Sequence, residues 1–191
     1  MPTPAILCTA TLAAWLLVAC WFDVRQRRIP NLLVLNGMVW GLALQGLTPA
    51  AQGLFTFWWG GIGVAQALLG LLAGLALFMP LYLLRAAGAG DVKLLAMVGV
   101  WLGPQLLPGA ALLTLLAGGA MALLVMVATR TSRQVLANVR VMLTSVVVGA
   151  AAGKAQALDA PLPGSVRLPY ALAITVGTLA QVAWLLAHAG P

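Results

Sequence analysis

Charge in this chain is confined almost entirely to breaks between long apolar segments, and that pattern decides what the chain can fold into. Ten basic and three acidic side chains are spread over 191 residues. Arg25, Arg27 and Arg28 lie in one break, Arg85 and Lys93 in another, and Arg130, Arg133, Arg140, Lys154 and Arg167 in a third, longer stretch. Between them run apolar segments, most of them near the roughly 20 residues that a helix needs to cross a bilayer. With 63% hydrophobic residues, 7% charged residues and a mean hydropathy of +1.05, the composition is that of a polytopic membrane protein.

The expected fold is an all-α membrane helix bundle of about six transmembrane helices, with residues 1–191 forming one integral membrane domain. The segments run from about Pro4 to Phe22, Asn31 to Leu47, Phe57 to Leu84, Asp91 to Leu102, Leu106 to Thr129 and Pro169 to Ala187. Pro80 is an expected kink near the end of the third. The fourth is short for a full span. The amino terminus has no positive n-region and ends in arginines, so it is expected to be a retained helix and not a cleaved signal. Over residues 130–152, Arg130, Arg133 and Arg140 fall within roughly an 80° arc, with Val135, Leu136, Val139, Met142 and Leu143 beside it. That spacing predicts an amphipathic helix on the cytoplasmic interface. The Thr48–Thr56 and Gly103–Pro108 breaks carry no charge, so the positive-inside rule puts the arginine-bearing breaks in the cytoplasm and both termini outside. The Trp58–Trp59 pair is expected in the outer interface belt.

Several kinds of chemistry are excluded. The basic residues form no single run, so the net charge of +7 points to topology and anionic lipid and not to nucleic acid. Cys8 and Cys20 form no metal-ligand spacing and no histidine lies near them, so neither a zinc site nor any other cofactor is expected. His188 is the only histidine, placed at the end of the last segment, which leaves Ser-His and Cys-His catalysis without a base.

The acids carry the remaining signal. The chain has no glutamate, and its three aspartates are Asp23, Asp91 and Asp159. Asp159 lies in a turn-rich, solvated setting and is not expected to act. Asp23 and Asp91 each sit in a polar break at the end of an apolar segment, and the arginines put both on the cytoplasmic side. A carboxylate at a bilayer is costly and therefore a functional candidate. Two that share a site hold one proton between them and can activate water. Taken singly, Asp91 fits an N-cap and Asp23 a juxtamembrane charge balanced by Arg27. Gly88 and Gly90 would let an extended substrate backbone approach the carboxylate. Lys93 and Arg25 are close enough in sequence to tune the pair electrostatically. Rival classes remain: a small proton- or cation-coupled transporter, opposed by placement of both acids at one face, and a structural subunit of a pilus or secretion machine.

The segment Gly-Ala-Gly-Asp-Val-Lys-Leu-Leu-Ala-Met-Val-Gly at 88–99, continuing to Gly103, resembles the G-x-G-D segment of type IV prepilin peptidases. Asp23 followed by Arg28-Ile-Pro-Asn resembles that family's first aspartate motif, and Arg167-Leu-Pro-Tyr-Ala-Leu-Ala-Ile174 its pattern at the start of the last helix. The resemblance implies a multi-pass inner-membrane aspartic endopeptidase without cofactors. Its partners would be prepilin or pseudopilin substrates, the lipid bilayer and pilus or type II/Tad secretion machinery. Asp23 and Asp91 would be catalytic, Gly88 and Gly90 the motif glycines. The longer bifunctional members carry an insertion with paired C-x-x-C motifs and also N-methylate the new terminus. This chain lacks that insertion, so it resembles the short Tad/Cpa (Flp pilus) form, without methyltransferase activity.

Overall fold

In a computed structural model, the residues described are 3–47, 62–84, 87–129, 140, 144 and 169–188, with the side chains of 3–8 and 188 excepted. They form five helices and, among the described residues, no strand. These are α1 (Thr3–Gln26), α2 (Asn31–Leu47), α3 (Gly63–Leu83), α4 (Ala89–Ala128) and α5 (Tyr170–His188). By length and composition α3, α4 and Tyr170–Ala187 of α5 can cross a membrane, and α2 is a shorter apolar helix of 17 residues. Pro80 lies inside α3, as expected. The predicted amphipathic helix over 130–152 falls outside the described residues except for Arg140 and Thr144, which are helical and exposed. The Trp58–Trp59 pair and Asp159 also lie outside them.

The fourth and fifth predicted segments join into α4. The expected break over Gly103–Pro108 narrows to one non-helical residue, Gly103, with φ 74° and ψ 171°. Only glycine adopts that conformation readily. Pro104 follows as the first residue of a new helical run, where its missing N–H costs nothing. The backbone change at Gly103 doubles the chain back. Gly99 and Leu107 would be some 12 Å apart in a straight helix. Instead a methyl added to Gly99 would lie 3.2 Å from the Leu107 side chain.

The first half of α4, residues 89–102, is the centre of the molecule. Leu94 to Leu102 is continuously buried. It runs antiparallel to α3, because Gly70 faces Gly99 and Gly74 faces Ala96. At Gly70 the two backbones touch: an added Cβ would meet the Gly99 carbonyl, and one on Gly99 would meet the Gly70 carbonyl. Small residues permit this approach, which gives dispersion contact where lipid offers no hydrophobic drive for helices to associate. The same half runs parallel to α2, with Gly37 against Met97 and Gly41 against Trp101. The buried Trp101 indole donates to the Gly37 carbonyl at 3.0 Å. Buried Gln45 donates to the Trp101 carbonyl in a long bond of 3.4 Å, beside the bend where the regular ladder is interrupted. The second half of α4 runs antiparallel to α5, through Gly109 with Gln181 and Gly118 with Tyr170. Helix α5 also packs on α1, where the Thr175 hydroxyl lies 3.3 Å from the Leu16 carbonyl. The ends of α1 and α3 and the starts of α4 and α5 therefore gather at one end of the bundle.

Candidate active site

Asp23 sits one turn before the end of α1 and is buried, 8% exposed. Helix α1 closes at Arg27, whose φ of 53° is left-handed and whose N–H returns to the Asp23 carbonyl at 2.9 Å. The Asp23 carboxylate points away from its own helix and accepts the Ala171 N–H at 3.0 Å. Ala171 is the second residue of α5, so this donor is one that the helix itself leaves unpaired. The positive end of the α5 dipole also favours an anion there.

Asp91 is the third residue of α4. Its Oδ2 accepts the Gly88 N–H at 2.9 Å, with Gly88 extended as the N-cap (φ −80°, ψ 156°). Glycine has no side chain to return the bond, so only the carboxylate half of a capping box is made. A Cβ on Gly88 would lie 3.2 Å from Asp91 Oδ2. The N-cap is therefore Gly88 and not Asp91, which reaches back three residues from the first turn to accept the cap's N–H. The structure brings Asp23 and Asp91 to the same end of the bundle, where Ile29, six residues after Asp23, packs on Gly90, the neighbour of Asp91.

The two sequence motifs interlock around them. Ile29 packs on Gly90, 3.4 Å from where a Cβ would stand. Lys93 donates to the Asn31 side chain at 3.0 Å. Arg25 lies over the Trp21 ring, 4.6 Å from its centroid. The described contacts of these two cations are thus with Asn31 and Trp21, while the hydrogen bonds to the aspartates come from backbone N–H groups. Ile29 and Asn31 act as a clasp that fixes α2 and the α1 end against the start of α4.

Three further residues complete this end of the bundle. Tyr170 opens α5; its ring meets buried Phe78 of α3 edge-on, centroids 6.1 Å apart at 65°. Its other side rests on Gly118. The Pro-Tyr-Ala motif pointed toward Tyr170 and Ala171, but as a helix start and not as part of the site. Nothing in the sequence marked Phe78 or Gly118, whose positions follow from the α3–α4 register and the bend at Gly103. Among the described residues no group of three or more His, Cys, Asp or Glu side chains is placed to hold a metal.

The model of the type IV leader peptidase family matches residues 10–123, a stretch that contains both aspartates. The chain belongs to the type IV leader peptidase family. Relatives of this chain include a prepilin leader peptidase/N-methyltransferase of Aeromonas hydrophila, 38% identical over 120 residues, which are 59% of this chain and 38% of the relative. A protein of the same description from Aeromonas salmonicida (strain A449) is 38% identical over 117 residues, 57% of this chain and 36% of its own length. The match thus spans little more than a third of those curated relatives. No solved structure matches this chain significantly.

Proposed function

We propose that this leader peptidase family member is a membrane-embedded aspartic endopeptidase that removes the short basic leader of Flp-type prepilins or pseudopilins at the cytoplasmic membrane face. The observation that carries the proposal is the placement of Asp23 and Asp91 at one end of the bundle, each held by a backbone N–H. In the proposed reaction the ionised member of the pair takes a proton from water. The protonated member donates toward the scissile carbonyl oxygen as the water oxygen bonds the carbonyl carbon. The proton taken from water then passes to the pilin nitrogen as the C–N bond breaks. The carbonyl re-forms with return of its proton to the pair, and the leader leaves as a carboxylic acid. The proton belongs to the coupled pair, so neither residue is assigned one role. Gly88 and Gly90 would leave space for an extended substrate backbone, and the pilin's apolar helix would be recognised by packing against the bundle.

The finer architecture belongs to the same proposal. The two halves of α4 would each cross, giving six crossings in one domain of the bacterial inner membrane, with the arginine-bearing α1 end in the cytoplasm. Residues 130–152 would lie on that face as an amphipathic helix. The family match and the apolar helices support a membrane peptidase over a transporter or a structural subunit. Methyltransferase activity, part of the relatives' descriptions, is not proposed here, because this sequence has no C-x-x-C pair. The proposed partners are the prepilin and the pilus or Tad machinery that receives the mature pilin.

Co-expression with an Flp-type prepilin tests the proposal, with the leader followed on a gel for wild type, Asp23→Asn and Asp91→Asn. Cleavage by wild type alone is expected. Equal processing by all three would sink the aspartic mechanism.

A further inference from the structure

We propose that Tyr170 is a positioning residue for the Asp23–Asp91 pair, its ring acting as a wedge that fixes the start of α5 and, through the Ala171 N–H, the Asp23 carboxylate. This rests on the peptidase proposal above. The argument begins with what holds Asp23. Its described side-chain partner is a single N–H, that of Ala171, on a helix 148 residues away. That N–H is placed only as well as the first turn of α5 is placed, and Tyr170 is its first residue.

The Tyr170 ring is gripped from two other helices. On α3, Phe78 meets it edge-on and is itself only 1% exposed. On α4, Gly118 leaves room for it: an added Cβ would lie 3.0 Å from the phenol oxygen and 3.1 Å from the ring carbons. Both grips are level with Asp91. The α3–α4 register that sets Gly70 on Gly99 and Gly74 on Ala96 carries Phe78 to the depth of Asp91. Gly118 would be about 40 Å from Asp91 in a straight helix. The bend at Gly103 returns it. One ring therefore ties together the second half of α4, α3 and the donor to Asp23. The hydroxyl lies against Gly118, so the fit of the ring, and not a proton carried by the phenol, is what the site uses.

The test uses the full chain in detergent and a prepilin substrate. For Tyr170→Ala, kcat falls roughly 100-fold, as for a misplacement of reacting groups by about 1 Å. KM stays within about twofold, since ground-state binding is not what the ring supports. Tyr170→Phe restores most of kcat, and Gly118→Ala, which pushes on the intact ring, falls with Tyr170→Ala. A drop in Tyr170→Phe as deep as in Tyr170→Ala would overturn the proposal in favour of hydroxyl chemistry.

A second readout does not depend on cleavage. Tyr170-Ala171 is the only Tyr-Ala pair in the sequence. Labelling tyrosine carbonyl carbon and alanine nitrogen therefore isolates the Ala171 amide in one NMR cross-peak. Asp23→Asn displaces that peak, because the acceptor of the Ala171 N–H changes, and Gly118→Ala, which moves the first turn of α5, displaces it as well. A peak left at its wild-type position in Gly118→Ala would overturn the positioning role. If wild type cleaves no prepilin while the peak behaves as expected, the peptidase proposal fails and the coupling of Tyr170 to Asp23 stands.

Discussion

At the scale of single residues, the two aspartates show why an amide is the right probe. Asp23 accepts from Ala171 and Asp91 accepts from Gly88, and an asparagine oxygen can accept in both places. The Asn variants should therefore insert and fold with a stability change under about 1 kcal/mol, while losing the proton that the pair shares. The Ala variants differ: each strands a backbone N–H, and Asp23→Ala strands one at a buried position. Thermal unfolding in detergent should place Asp23→Ala about 1–3 kcal/mol below wild type and Asp23→Asn near it. Equal destabilisation by Asn and Ala would show that the Ala171 bond contributes nothing. Gly88→Ala tests the other carboxylate. Its new methyl would stand 3.2 Å from Asp91 Oδ2, so the carboxylate must move without losing its charge. Prepilin turnover should fall roughly tenfold or more, which corresponds to about 1.4 kcal/mol in the barrier, with the protein still folded. Unchanged turnover would mean that the resting position of Asp91 is not the working one.

At the scale of elements, helices were legible because each apolar run is bounded by charge, proline or glycine. The starts at Asn31 and near Pro169, and the end at Leu47, follow from such local signals. The bend in α4 was legible only as a gap. Gly103-Pro104 and Pro108 read as a loop, since sequence spacing shows that a ladder is interrupted but not that one residue suffices to interrupt it. Its consequence could not be read at all: that Gly118 returns to the level of Asp91 depends on the direction in which Gly103 turns the chain. The same residue gives an element-scale prediction. Gly103→Ala puts a Cβ on a φ of 74° and ψ of 171°, a conformation that costs about 1–3 kcal/mol for other residues. Among the described residues space is not the obstacle, because there only Ile62 side-chain atoms, at 3.5 and 3.7 Å, approach that Cβ. Loss of thermal stability by that amount should therefore report backbone strain alone. An unchanged unfolding temperature would mean that α4 turns back through another conformation.

At the scale of the whole molecule, the sequence placed the two acids on one face through its arginines, and the structure brings them to one end of the bundle through helix direction. Both arguments reach the same pair by different routes, one from charge bias in the breaks and the other from registers within the bundle. What the sequence could not supply is the third party, α5, because the reach of Ala171 across to Asp23 is set by packing of glycines and aromatic rings that have no local signature. The helix directions also make a topology prediction. If each half of α4 crosses, the bend at Gly103 lies on the face opposite Asp23, although the first half spans only about 21 Å against a hydrocarbon core near 30 Å. In a cysteine-free background, single cysteines at Gln26, Leu47, Gln105 and Thr129 report the four relevant ends. A membrane-impermeant maleimide added from outside the inner membrane should label Leu47→Cys and Gln105→Cys. Gln26→Cys and Thr129→Cys should react only once the membrane is opened. Labelling of Gln105→Cys only together with Gln26→Cys would make the first half of α4 a re-entrant segment, and the bundle would then cross four times around the same pair of acids.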